Sequence, residues 1–236
     1  MTRRPPIPAR ELLAESRFPP PRPQNRINSV QQGNAIALAA RRYATGRLVD
    51  IGCGIKPFAP TFEPYVTEHV GVDHADSVHE LDADIIAGAY EIPLPDGGFQ
   101  TALLSEVLEH LEEPQAALRE TFRLLAPGGK LILTTPFMWP LHEEPRDFFR
   151  YSPHGLRYLL EQAGFEVLEV TPLAGQWTTI AQLAGYVANR SPLRRTPRLL
   201  EAWLRASHWA AIRLDERQFE PWFSYDHLAV AAKPSA

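Results

Sequence analysis

The stretch Leu48-Val-Asp50-Ile-Gly52-Cys53-Gly54 sets two apolar residues, an acid, one more apolar residue and two spaced glycines in a row. An apolar run that ends in glycines reads as a buried strand entering a tight turn. Glycine lets a backbone pass a ligand closely, and a side chain at 52 or 54 would fill ligand space or forbid the turn's dihedrals. The outline is that of a nucleoside-type pocket. A dinucleotide fingerprint would need a third glycine at position 57, where the chain has Pro57, which argues against NAD or FAD. There is no phosphate-cradling GxxxxGK[ST] run either.

A second apolar run, His69-Val-Gly-Val-Asp73, ends in an acid 19 residues beyond Gly54. That spacing suits a parallel second strand returning a carboxylate to the same crevice, where it can accept hydrogen bonds from two ribose hydroxyls. An acid closing a strand is also an ordinary turn former. Farther along come Ile92-Pro-Leu-Pro-Asp96-x-x-Phe99, then Ser105-Glu-Val-Leu-Glu109-His110, then Leu124-Leu-Ala-Pro-Gly-Gly-Lys-Leu-Ile-Leu133.

In this order, these segments resemble the class I S-adenosylmethionine-dependent methyltransferases, in particular the type 11 methyltransferase-domain family, over about 190 of 236 residues. The resemblance implies S-adenosylmethionine as cofactor and S-adenosylhomocysteine as product. It implies a Rossmann-like α/β fold: a seven-stranded, mostly parallel sheet with helices on both faces and a helical insertion before the last strand. Family members place that last strand antiparallel between strands five and six. By the same likeness the turn Gly52, Cys53 and Gly54 faces the methionine end and Asp50 helps hold the ammonium region. Asp73 and the adjoining His74 belong at the ribose, and Ser105 and Glu106 beside the sulfonium. Where the family commonly has an aspartate for the adenine amine, this chain has Gly88, so backbone groups of Gly88 and Ala89, or Tyr90, are expected to take that contact. Gln100 likewise stands where an aspartate is usual.

The loop after the fifth strand, Phe137 to Tyr151, is dense in groups able to orient or deprotonate a substrate, and ligands bind outside the carboxyl ends of parallel strands. His142 is the first choice for a general base and His110 the second, since imidazole titrates near neutrality. The alternative for His142 is a structural histidine capping a loop. Trp139, Glu143, Asp147 and Tyr151 are expected to bind acceptor groups, unless the loop is laced by its own ion pairs. The spacing of His142, Glu143 and Asp147 matches no recognised ligand pattern, so no metal is expected. The turn Gly54-Ile-Lys-Pro-Phe58 and the loop His142-Glu-x-x-x-Asp-Phe-Phe-Arg-Tyr151 resemble methyltransferases of saccharide and natural-product pathways. That implies a small-molecule acceptor methylated on oxygen or nitrogen. The alternatives are an RNA or protein methyltransferase, and a non-catalytic binding protein that keeps the cofactor fold.

Residues 1–24 carry five arginines and seven prolines without an apolar segment, and read as an extension rather than a secretory signal. The methyltransferase domain is expected over 25–236. One cysteine allows no intrachain disulfide and points to a reducing cytoplasm, with Cys53 read as a small buried side chain. The formal charge of -4 offers no general attraction for nucleic acid, and no run of 18 apolar residues spans a membrane. A helical insertion is expected at about 175–222, with helices near 178–189 and 197–214. The second helix would place Leu199, Trp203, Ala206 and Ala210 along one side. This insertion reads as a cap, an acceptor lid or a homodimer face.

Overall fold

The computed structural model describes residues 25–76 and 82–235, so the expected extension at 1–24 lies outside the described residues. Strand β1 (Arg47–Ile51) pairs in parallel with β2 (Glu68–Asp73) and with β4 (Phe99–Ser105). The two-residue β3 (Ile85–Ile86) runs parallel to β2, and β5 (Leu125–Pro136) parallel to β4. With β6 (Glu166–Pro172) and β7 (Asp226–Ala232) they make one seven-stranded sheet in the order β3-β2-β1-β4-β5-β7-β6. The expected α/β architecture and the place of the last strand are both met. Every position of β7 is buried, as befits a strand with a neighbour on each side. In β4, Ala102, Leu103 and Leu104 are all fully buried, because successive side chains point to opposite faces and both faces are covered.

Among the described residues six α-helices accompany the sheet: α1 (Arg26–Tyr43), α2 (Ala59–Phe62), α3 (Pro114–Leu124), α4 (Pro153–Gln162), α5 (Gln176–Arg190) and α6 (Pro197–Arg217). Helix α3 buries Ala117, Leu118, Thr121 and Leu124, the three-and-four spacing of one helical face. Helix α4 starts where Ser152 Oγ accepts the Gly155 amide at 3.1 Å. It stops before Gly164, whose φ of +97° suits glycine.

Pro127-Gly-Gly129 reads from the sequence as a helix stop, but the helix ends before it. Helix α3 already turns extended at Leu125, which opens β5. Between the pairs Phe99↔Leu125 and Thr101↔Lys130 the β5 strand carries extra residues, and Gly128, at φ +79°, lets the bulge form. The segment before β4 is clamped by Arg123. Its guanidinium donates to the Ile92 and Leu94 carbonyls, both at 2.9 Å, and to Asp96 at 2.5 Å, while Glu120 accepts the Ile92 amide at 2.7 Å.

The chain divides into two compact units. The larger holds the described residues of Ile36–Phe137 and Leu141–Thr171 and the chain from His227 onward, with the continuous core of Val49, Leu104, Leu118, Leu131 and Leu156. The smaller holds the described residues up to Ala35, Met138–Pro140 and Pro172–Asp226, including α5 and α6.

Within the smaller unit the buried face of α6 is Leu200, Leu204, His208, Ala211, Ile212 and Asp215. The expected stripe through Leu199 and Trp203 is wrong by one position, for both residues are exposed. The stripe that packs contains two polar residues that a search for apolar periodicity passes over. Asp215 reaches across to cap α5, accepting the Trp177 amide at 3.1 Å and the Thr178 amide at 2.9 Å. Helix α5 needs this borrowed cap because Gly175 at its N-cap position has no side chain to offer. Asp215→Ala is expected to lower unfolding stability by about 1–3 kcal/mol by orphaning buried amides. A urea melt that superimposes on the wild type would contradict that role.

Candidate active site

All residues of the site belong to the larger unit. At the end of β1 the chain bends through Gly52 at φ +73° and Gly54 at φ +52°. Both angles lie in the left-handed region that glycine tolerates. The two positions differ in their surroundings. A Cβ at Gly52 would come within 2.4 Å of Val107, whereas one at Gly54 would meet nothing within 4 Å. The room beside Gly52 is therefore filled by protein, and its glycine answers to the turn and to Val107 rather than to ligand space. The Gly52 and Cys53 amides donate to the Val72 carbonyl at 2.8 and 3.2 Å, and this fixes the bend against β2.

Asp73 ties the turn to the second strand. One carboxylate oxygen accepts the Gly54 amide and the other the His74 amide, each at 2.8 Å. Above it opens a cavity of ≈ 380 Å³ lined by both Gly52 and Asp73, at the carboxyl ends of β1, β2 and β4. Ile51 and Val72 give it an apolar base, His74, Ala87, Gly88, Ala89 and Tyr90 one wall, and Glu106, Val107, His110 and Leu111 another. Glu143, Arg146 and Phe148 complete the lining. Among the described residues three non-glycines have positive φ, and two of these, Glu106 at 55° and Glu143 at 52°, line the cavity. Backbone in that region is costly for ordinary residues and tends to cluster at working sites.

Six expected site residues stand apart from the cavity wall. Asp50 is buried and its carboxylate meets His69 Nε2 at 3.0 Å; burial holds its pKa up and the imidazole opposes that. That contact ties β1 to β2. Cys53 is buried with its thiol pushed up to about 12, first by burial and then by Asp50 and Asp73, which makes it inert as a nucleophile. Ser105 Oγ bonds Thr134 Oγ1 at 3.1 Å. Tyr151 is buried, donating to the Leu108 carbonyl at 3.0 Å. Trp139 lies in the smaller unit, edge-on to Tyr186 and Tyr225. Gly54 contributes its amide to Asp73 as described.

Asp147 and His142 sit just behind the wall. Arg150 holds Asp147 with two bonds of 2.5 and 2.7 Å, and the His142 amide donates to it at 2.9 Å. Burial works against ionising Asp147, yet these three contacts bring it down to about 2. Its carboxylate also lies 3.3 Å from His142 Nδ1. Burial lowers the pKa of His142 despite that neighbour, so the ring is neutral near pH 7. His110 belongs to the 3-10 turn Leu108–His110, and its Nδ1 meets the Arg146 carbonyl at 2.5 Å. The two rings stand edge to face with centroids 4.8 Å apart.

Between them lies Glu109, fully buried, with neither carboxyl oxygen hydrogen-bonded. Burial, reinforced by Glu106, raises its pKa well above the usual carboxylate range. In the sequence Glu109 sits inside the Ser105–His110 motif with little to mark it out. The only signal available was an acid set in an otherwise apolar Val-Leu-Glu segment.

Residues 25–170 match the profile of a family described as a methyltransferase domain. An O-methyltransferase of Aspergillus nomiae is 27% identical over 151 residues, spanning 54% of this chain and 67% of that protein. A tRNA U34 carboxymethyltransferase of Syntrophotalea carbinolica is 32% identical over 143 residues, spanning 56% of this chain and 42% of that one. Among solved structures, the [4+2]-cyclase SpnF superimposes with a TM-score of 0.57 at 21% identity, covering 89% of this chain and 83% of the cyclase. At that identity the likeness speaks for the fold alone.

Proposed function

The chain belongs to the methyltransferase domain family, within the class I S-adenosylmethionine-dependent methyltransferases, and from that premise we propose that it transfers the sulfonium methyl group to an oxygen or nitrogen of a small-molecule acceptor. The observation that carries this reading is the single cavity lined by Gly52 and Asp73 together. Asp73 suits a ribose. A carboxylate has about four lone-pair sites, and only two are spent on the Gly54 and His74 amides, which leaves acceptors for two hydroxyls. The absence of an acid at Gly88 leaves open space there, where a Cβ would meet nothing within 4 Å, so adenine recognition falls to Ala87, Gly88 and Ala89 backbone and the Tyr90 ring.

When bound, the cofactor supplies an electrophilic methyl on positively charged sulfur. Asp73, Gly88, Ala89 and Tyr90 would hold it, and it would present that methyl carbon to the acceptor's lone pair with a neutral thioether as leaving group. The protein aligns the two partners, and proximity supplies much of the rate. For a hydroxyl acceptor the departing proton needs a receiver. Two imidazoles line the cavity, His74 and His110; His110 has the half-buried His142 edge-on to it, neutral and therefore able to share the task. His110→Ala is expected to slow methyl transfer by about 10²–10⁴-fold. Affinity for S-adenosylhomocysteine should stay near that of the wild type. Comparable loss of cofactor binding would instead make His110 part of the cofactor's own pocket.

The tRNA-modifying relative favours a second reading, an RNA acceptor, against which stands the formal charge of -4. The cyclase neighbour is a reminder that the fold hosts chemistry other than methyl transfer. The decisive experiment measures S-adenosylhomocysteine release with a panel of hydroxylated and amino small molecules and with total tRNA. Turnover on the small molecules supports the proposal. Turnover on tRNA alone, or cofactor binding with no turnover on any acceptor, overturns it.

A further inference from the structure

We infer that Glu109, His110 and His142 form a binding site for one divalent first-row transition metal ion, set beside the cavity and joined to it through His110. One ligand atom from each of the three lies within 4.8 Å of the others. His110 Nε2 is 3.6 Å and His142 Nε2 3.9 Å from the same carboxylate oxygen, Glu109 Oε1. Around a tetrahedral zinc at the usual ligand distances of about 2.0–2.1 Å, donor atoms stand roughly 3.4 Å apart. Both carboxylate–imidazole separations lie within about 0.5 Å of that spacing, and the widest separation in the cluster, up to 4.8 Å, has to close.

Two independent features point to an ion and not to a chance cluster. Glu109 is fully buried with both carboxyl oxygens lacking a hydrogen-bond partner, an arrangement whose cost a cation would offset. The surroundings of the two rings also match those of metal-bound histidines, which donate their other N–H to a carbonyl or a carboxylate. His110 Nδ1 faces the Arg146 carbonyl, which can only accept, so the proton is on Nδ1 and the lone pair is on Nε2. The His110 lone pair thus turns toward Glu109. His142 Nδ1 lies 3.3 Å from the Asp147 carboxylate, the kind of partner a metal-bound ring donates to, and accepts from the Arg150 guanidinium at 3.5 Å. The guanidinium of Arg150 does not oppose a cation strongly, because Asp147 neutralises it with two short bonds.

Two imidazoles and one carboxylate suit zinc, iron(II), cobalt(II) or manganese(II), and suit magnesium and calcium poorly. The spacing of the loop residues gave no ligand pattern because Glu109 comes from another segment; Asp147 is occupied by Arg150 and stands behind the His142 ring. For catalysis the inference rests on the methyl-transfer reading: an ion here lowers the pKa of an arriving hydroxyl. Proton receipt then passes from His110 to Glu143, whose Oε2 lies 3.8 Å from His110 Nε2 and which lines the cavity. The site itself does not depend on that reading.

The test titrates cobalt(II) into the full chain after treatment with a chelator, following its visible d–d absorption. One equivalent is expected to bind tighter than about 10 µM, with the intensified bands of a low-coordinate site. Glu109→Gln, which keeps the side chain's shape, should weaken binding at least 100-fold, and Asp147→Asn about 10–100-fold. Each variant is checked for wild-type S-adenosylhomocysteine binding, which shows that it is folded and keeps a failure of the cofactor reading distinct. Absorption that stays that of the aqueous ion, or cobalt binding unchanged in Glu109→Gln, overturns the inference.

Discussion

Asp73→Ala is expected to weaken S-adenosylhomocysteine binding by about two orders of magnitude, the roughly 3 kcal/mol at the upper end for hydrogen bonds to a charged group. Two losses add. The ribose hydroxyls lose their acceptor, and the Gly54 and His74 amides lose the carboxylate that holds the turn and the strand end at 2.8 Å. Asp73→Asn separates these terms. Its amide oxygen can still accept one backbone N–H, so the turn is partly retained while the charge is lost, and an intermediate affinity follows. Calorimetric affinity indistinguishable from wild type in Asp73→Ala would move the ribose elsewhere.

Arg150→Ala is expected to destabilise the fold by about 3–5 kcal/mol, because it strands a buried carboxylate without its partner. Asp147 has a side chain only 1% exposed, and Arg150 supplies two of its four contacts. The sign of the pH dependence follows from Asp147's depressed pKa of about 2. The stabilisation is complete above the unfolded value near 4 and disappears as pH falls through about 2. Removing Arg150 erases that acid-labile increment, and adding Asp147→Asn to it should recover much of the stability, since the buried charge is then gone. Chemical denaturation of the single and double variants reads this directly. Equal stability of Arg150→Ala and wild type would mean that water already screens the pair.

Much of this was legible from local pattern. The strand–turn at Leu48–Gly54, the acid at Asp73 and the helix bounded by Ser152 and Gly164 announce themselves through apolar runs, glycines and caps a few residues apart. What stayed hidden depends on distant partners. Asp50 could have faced a ligand, but His69, one strand over, takes it. The face of α6 was misplaced because its packing stripe includes His208 and Asp215, and only the N-terminus of α5 explains the acid there. Glu109 reads as one more charged residue at the start of a turn until two histidines, one of them 33 residues away, are seen to converge on it. Tyr151 was chosen for its loop, and packing buries it with its hydroxyl on the Leu108 carbonyl.

The central claim is that the bend at Gly52 and the carboxylate of Asp73 serve one nucleoside. A crystal structure of the complex with S-adenosylhomocysteine tests it most directly. The prediction is density for adenosine in this cavity, with both ribose hydroxyls within hydrogen-bond distance of Asp73 and the adenine beside Gly88 and Tyr90. Adenosine bound elsewhere on the chain, with Asp73 holding only the Gly54 and His74 amides, would contradict it.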